Sequence, residues 1–240
     1  MKMNKHQFSC TIEEQLDLPE KWGSLQSSKV RCDSKLWTVT KYYLKYAEEI
    51  YNFTVRPDDV WVVTQPKSGT TLTQEMVWLI ANGDYETAKS VPLIKRFPYL
   101  EANTLINDVV INEAKEREKG DKERLADFMT VLTQQWITLE QQSDRRFIKN
   151  SPAVLFSSSG IVIYVARNPK DVAVSHFKFL FHGADDDYFP EFFDLFINNS
   201  IAYTPYWDHV KQGWEHRGEE NYCFLFYEDM VKDLRSSIEK

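Results

Sequence analysis

A chain of 240 residues with 42% hydrophobic residues can bury a substantial core and is expected to form one domain, at most two, so a disordered chain is excluded. Its 29 Lys and Arg stand against 36 Asp and Glu, a net charge of −7, which argues against broad binding to a nucleic-acid backbone and requires any polyanion site to be local. Cys10, Cys32 and Cys223 are scattered, odd in number and without C-x-x-C spacing, which points away from a disulfide framework or zinc cluster and toward a reducing compartment.

The N-terminal MKMNKHQFSCTIEEQ has no unbroken apolar stretch. The longest apolar run, Ile161 to Ala166, is far too short to cross a bilayer, so a cytoplasmic chain without a membrane partner is expected. Residues 1–56 are expected to pack as an N-terminal segment on the core of a domain spanning 57–240.

Two segments share one grammar: a β-branched apolar run, a short polar turn and a stretch with helical spacing. This is the mark of a single α/β domain with a central parallel sheet flanked by helices. The first run, Asp59 to Thr64, passes through Gln65-Pro66-Lys67-Ser68-Gly69-Thr70-Thr71 into a segment where Leu72, Met76, Leu79 and Ile80 predict one buried helix face, stopped by Asn82-Gly83. Residues 112–127 alternate in charge and read as a solvated helix or helix pair. The second run, Ile161 to Ala166, leads through Arg167-Asn168-Pro169 into a helix carrying Val172, Val174, Ser175 and Phe179, with Pro169 suited to its first turn. Trp207 to Trp214 reads as an amphipathic helix, and Phe224 to Tyr227 as a third strand.

A strand that delivers Lys67, Ser68, Gly69, Thr70 and Thr71 to a helix N-terminus gathers unpaired N–H groups, a positive dipole end, one ammonium and three hydroxyls at one point, which suits phosphate or sulfate. A lone Lys-Ser-Gly-Thr would also serve as an ordinary N-capped turn, and the G-x-x-x-x-G-K-[ST] pattern is missing. The second turn shifts the balance. Arg167 leaves the carboxyl end of a buried strand and Ser175 follows eight residues later, so a guanidinium and a hydroxyl can meet a second phosphate; alone, Arg167 would equally suit a salt bridge to Asp171. A small-molecule kinase fits less well, for want of the phosphate loop's second Gly.

The strings TQPKSGTT and VARNPKDVAVS, with YWDHVKQGWEHR and FLFYEDM, closely resemble the cytosolic sulfotransferases from about Asp59 onward. The resemblance implies a P-loop-like phosphosulfate turn and 3′-phosphoadenosine 5′-phosphosulfate (PAPS) as co-substrate, with no metal. It implies that Lys67 through Thr71 hold the phosphosulfate, with Leu72 next to them, that Arg167 and Ser175 hold the 3′-phosphate, and that Tyr227 borders the adenine. Lys67 and Lys149 would be the catalytic cations, and the acceptor a small hydrophobic phenol, alcohol or amine. Phe97, Tyr99, Phe156, Phe181, Tyr188 and Phe189 are available to wall its pocket.

The chain departs from the family pattern at four places. Leu72 stands where the family has Trp, removing a stacking plane worth roughly 1–3 kcal/mol per base in nucleic-acid sites. The family's Lys-Thr-His-Leu-Pro, whose His is the general base, reads here Lys149-Asn150-Ser151-Pro152, and Ser151 cannot act as a base at neutral pH. The stretch from Ser151 to Arg167 is shorter than its counterpart. The chain stops at Lys240, ahead of the family's Arg-Lys-Gly segment and dimer-contact motif, so a truncated or divergent member is expected. The alternative expectation is a catalytically impaired nucleotide-binding chain. Of the histidines, His176 and His182 fall near the 3′-phosphate segment, while His6, His209 and His216 have no motif context and are expected at the surface or in packing.

Overall fold

The computed structural model describes residues 10–16, 27–32, 35–40, 42–105, 120–122, 135–151, 159–181 and 186–240, with short pieces at 111–112, 115–116, 125–126 and 129. An antiparallel sheet of β1 (Cys10–Leu16), β2 (Ser27–Cys32) and β3 (Lys35–Thr40) precedes helix α1 (Tyr43–Tyr51). The second sheet is parallel, in the order β5 (Phe147–Asn150), β4 (Val60–Thr64), β6 (Ile161–Ala166), β7 (Tyr222–Phe226). Between these strands lie α2 (Thr70–Asn82), α3 (Tyr85–Ser90), α4 (Leu93–Arg96) and α5 (Gln135–Gln141), then α6 (Pro169–Leu180), α7 (Phe189–Ile197) and α8 (Tyr206–Glu215). Helices α9 (Tyr227–Lys232) and α10 (Leu234–Ile238) close the order.

Every residue of β4 is buried, as a parallel strand covered on both faces must be. Strand alternation sorts its side chains onto two cores: Trp61 and Val63 join Val162, Tyr164, Ile148 and the N-terminal residues Val30, Trp37, Val39 and Ile50, while Val60 and Val62 join Ile163, Val165, Leu225, Met76 and Met230. The segment before residue 57 therefore shares a core with one face of the parallel sheet. A third cluster joins Val172, Ala173 and Phe177 of α6 to Phe192 and Phe196 of α7 and Tyr206 of α8.

At the amino ends of β4 and β5, Arg146 donates from Nε to Asp59 Oδ1 at 2.6 Å and from Nη2 to Asp59 Oδ2 at 2.5 Å, and the Arg56 N–H donates to Oδ2 at 2.7 Å. Both charged side chains are essentially unexposed, which is tolerable only because they are paired and hydrogen-bonded.

Three local expectations shift. Leu72 and Ile80 of α2 are exposed, at 38% and 57%, while Thr73, Gln74, Met76 and Trp78 are buried. The polar pair goes inward because it has partners there: Thr73 Oγ1 donates to Gly69 O at 3.1 Å, and Gln74 Nε2 donates to Phe97 O at 3.3 Å. The last strand begins at Tyr222 and ends at Phe226, and Tyr227 opens α9 instead of closing the strand. In α6, Val172 is buried but Val174 and Phe179 face outward. Half of the alternating-charge stretch, 112–127, lies outside the described residues.

Gly83 caps α2 in the left-handed region (φ +64°), and Pro169 sits at the start of α6 behind Asn168, whose side chain accepts from the Lys170 N–H. Among the described residues no helix is long and apolar enough to cross a membrane, and no cluster of His, Cys, Asp and Glu is placed to hold a metal.

Candidate functional site

β4 lies between β5 and β6, so the chain leaves β4 to one side and returns to the other. Open α/β sheets form their ligand crevice at the carboxyl ends of strands at such a reversal. The turn after β4 lies there. Thr64 Oγ1 and Thr70 Oγ1 are 2.5 Å apart and brace its two ends, and Ser68 N–H donates to Gln65 O at 3.1 Å. Lys67 and Gly69 both take positive φ, +70° and +98°, which rolls the backbone into a cup, and Gly69 is the N-cap of α2. The N–H groups of Thr70, Thr71 and Leu72 open the helix and have no intrahelical acceptor.

The two turns meet. Arg167 Nη1 donates to Lys67 O at 2.8 Å, and its guanidinium stacks 4.4 Å from the Tyr227 ring. Asn168 N–H donates to Glu228 Oε1 at 2.8 Å, and the Tyr206 hydroxyl donates to Arg167 O, so the start of α6 is tied to α8 and α9. Tyr227 crosses directly over Gly69: a Cβ added there would lie 2.4 Å from Tyr227 Cδ2. The Arg167 guanidinium thus goes to the first turn, and not into the salt bridge with Asp171 that its sequence context equally allowed.

Lys67 is half-buried, with its ammonium 4.2 Å from the centre of the Phe179 ring. Burial, and secondly the Arg167 charge, pull its pKa below the usual lysine value. Ser175 sits one helical turn before Phe179, half-buried on the same side of α6. Buried polar atoms around this cup have no protein partner: Ser68 Oγ, both amide atoms of Gln65 and Arg167 Nε. Unsatisfied buried donors at a helix N-terminus beside two cations are suited to an anion.

Lys149 occupies the end of β5. The segment before it, Pro98 to Glu101, runs alongside: Lys149 N–H donates to Pro98 O at 2.8 Å and Leu100 N–H to Lys149 O at 3.0 Å. Lys149 Nζ lies 4.0 Å from the centre of the Tyr99 ring. Its pKa is lowered by burial first; Glu101 opposes that shift and the Lys67 charge adds to it, so Lys67, Lys149 and Glu101 lie within one electrostatic neighbourhood.

Ser151 is buried and held at three points. Its N–H donates to Glu101 Oε1 at 2.5 Å, its Oγ lies 3.1 Å from the Tyr99 hydroxyl, and its carbonyl is 2.5 Å from His209 Nε2. His209 Nδ1 is in turn 2.6 Å from the Tyr164 hydroxyl, and burial holds this imidazole near 4, in the neutral form. His209 is therefore a packing histidine, as is His176, which burial also depresses to about 4. Glu101 and the structural role of His209 are not signalled by any local sequence pattern. Of the aromatic residues expected to wall a pocket, Tyr99 is at the site, Phe97 packs on Phe147 in the core, Phe181 and Phe189 pack around Phe177, and Tyr188 is exposed. Phe156 and His182 lie outside the described residues.

A parallel sheet covered on both faces, with an anion-seeking turn at its carboxyl edge, defines an α/β protein of the P-loop-like kind. The model of the sulfotransferase domain matches residues 57–240. Sulfotransferase 1E1 of Mus musculus is 34% identical over 204 residues, covering 83% of this chain and 63% of that protein. Luciferin sulfotransferase of Photinus pyralis is 36% identical over 209 residues, covering 82% and 54% respectively. The chain thus spans 54% to 63% of the length of these two curated relatives. Among solved structures, retinol dehydratase in complex with androsterone and inactive cofactor PAP aligns with a TM-score of 0.78 at 32% identity, covering 96% of this chain and 73% of that one. The chain belongs to the sulfotransferase family.

Proposed function

We propose that this protein transfers the sulfuryl group of PAPS to the hydroxyl or amine of a small hydrophobic acceptor. The observation that carries the reading is the union of the two turns, Arg167 on Lys67 O at 2.8 Å, around buried polar atoms that lack protein partners. The N–H groups of the α2 start, with Ser68, Thr70 and Thr71, would hold the phosphosulfate, Arg167 and Ser175 the 3′-phosphate, and Tyr227 and Leu72 would border the adenine. Lys67 and Lys149 would take up charge on the bridging and sulfuryl oxygens as the acceptor displaces the phosphate in line, the electrostatic logic of phosphoryl transfer without a metal. The relatives' ligands, androsterone and retinol in solved complexes and luciferin by name, support a hydrophobic acceptor.

Calorimetric titration with adenosine 3′,5′-bisphosphate (PAP) tests the donor site. Lys67→Ala should abolish measurable binding, because Lys67 is the cation borne by a cup of amides and hydroxyls. Arg167→Ala should weaken PAP more than adenosine 5′-phosphosulfate, which lacks the 3′-phosphate. Unchanged affinity in Lys67→Ala would remove the assignment. A second reading, a chain that binds the nucleotide without transferring sulfate, is favoured by Ser151 standing at the family's histidine position; turnover of labelled donor by the wild type decides between them.

A further inference from the structure

The transfer reading leaves one chemical role unfilled: an attacking hydroxyl must lose its proton, and Ser151 has no basicity at neutral pH. A carboxyl group is buried against that same serine. Glu101 is fully buried, its Oε1 accepts the Ser151 N–H at 2.5 Å, and its Oε2 has no hydrogen-bond partner. An unpaired buried carboxyl oxygen is costly, and where one persists beside a reactive lysine it calls for a role. Tyr99 bridges the remaining gap. Its hydroxyl is 3.1 Å from Ser151 Oγ and 2.9 Å from the Tyr203 hydroxyl, and it favours the ionised form of Glu101. The same Tyr99 ring lies under Lys149 Nζ at 4.0 Å, and Ser151, two residues after Lys149, leaves the chain toward the same side. The chain Ser151, Tyr99, Glu101 therefore lies beside the cation assigned to the sulfuryl group.

Resting on the transfer reading, we propose that Ser151 Oγ, the Tyr99 hydroxyl and the Glu101 carboxylate form a proton relay that stands in for the missing histidine. As the acceptor oxygen bonds to sulfur and the sulfur to phosphate-oxygen bond breaks, that bond's electron pair leaves with PAP. The acceptor's proton passes to Ser151 Oγ, the serine proton to Tyr99 Oη, and the tyrosine proton to Glu101, which later releases it to solvent. Both hydroxyls can donate and accept, so each can pass on one proton as it takes up another.

The groups facing Glu101 fit this duty. Burial raises its pKa to about 8, opposed by the Ser151 N–H, Tyr99 and the Lys149 ammonium, while the Tyr43 and Tyr203 hydroxyls lie near enough to be raised by its charge. A base that titrates close to the working pH combines an available ionised form with useful basicity.

The test compares wild type, Glu101→Gln, Tyr99→Phe and Ser151→Ala with labelled PAPS and two acceptors, an aliphatic alcohol and a nitrophenol that ionises unaided. Glu101→Gln should lower kcat for the alcohol by about 10²- to 10⁴-fold, the usual worth of a positioned base, with PAP affinity unchanged and a much smaller loss for the nitrophenol. The rise of the alcohol rate toward pH 8 should vanish in the same variant. If Glu101→Gln does not fold, Tyr99→Phe and Ser151→Ala cut the relay upstream and should show the same split between acceptors. A folded Glu101→Gln that keeps the alcohol rate and its pH limb overturns the relay alone. Wild type that binds no PAP overturns the donor reading and the relay with it.

Discussion

Gly69→Ala puts the joined turns under the sharpest test, because one methyl group acts on both. At φ +98° an L-residue is strained, and positions of this kind cost about 1–3 kcal/mol when occupied by a side chain. The added Cβ would also sit 2.4 Å from Tyr227 Cδ2 and 2.9 Å from Cε2, well inside contact distance. The ring cannot simply retreat, since the Arg167 guanidinium rests 4.4 Å from it and is bonded to Lys67 O. The variant escapes by reshaping the turn between Gln65 and Thr70, and nucleotide binding must then restore the cup at the expense of that strain. A cost of about 1–3 kcal/mol corresponds to PAP affinity about 5- to 150-fold weaker. Calorimetry with PAP measures this, with a thermal melt beside it to show that the fold persists. PAP affinity within about twofold of wild type in a folded Gly69→Ala protein would refute the reasoning, because the cup would then not need the glycine.

Other consequences are testable on the same protein. Asp59→Ala strands a buried guanidinium, and breaking such a pair costs about 3–5 kcal/mol, which lowers Tm by roughly 6–20 °C for a domain of this size; Asp59→Leu with Arg146→Met should recover most of it. Gly213→Ala drives a methyl to 2.6 Å from Tyr164 Cζ, an overpacking worth about 1–3 kcal/mol that thermal melts should show, and it disturbs the Tyr164 contact to His209. Glu101 makes stability depend on pH with a defined sign. Its pKa is about 8 folded against 4.5 ordinarily, so between these values the native chain holds the extra proton and unfolding becomes easier as pH rises. The buried His176 and His209 act oppositely, losing stability as pH falls from 6.5 toward 4, so melts above pH 6.5 separate Glu101 from these two histidines. There Tm should fall toward pH 8 in wild type and stay flatter in Glu101→Gln.

Strands β4 and β6 and the two turns that follow them were legible because their signals are local; β5 and the antiparallel sheet of β1, β2 and β3 were not. Val60 to Thr64 and Ile161 to Ala166 are contiguous apolar runs that only a doubly covered parallel sheet accommodates, and the cup after β4 is written in adjacent residues, Lys67 to Thr71. Helix α2 is less legible, since its periodicity places Leu72 and Ile80 inward and carries no sign that Thr73 and Gln74 find partners at Gly69 and Phe97. Glu101 was not legible at all. It is one carboxylate in a charged chain until the pairing of Leu100 N–H with Lys149 O carries it 50 residues along the sequence to the Ser151 N–H. The meeting of Arg167 with Lys67 O, 100 residues apart, has the same origin. Local chemistry is set by neighbours in the chain, whereas the burial that raises one carboxyl and the contact that joins two turns exist only once the parallel sheet has fixed which strand ends lie side by side.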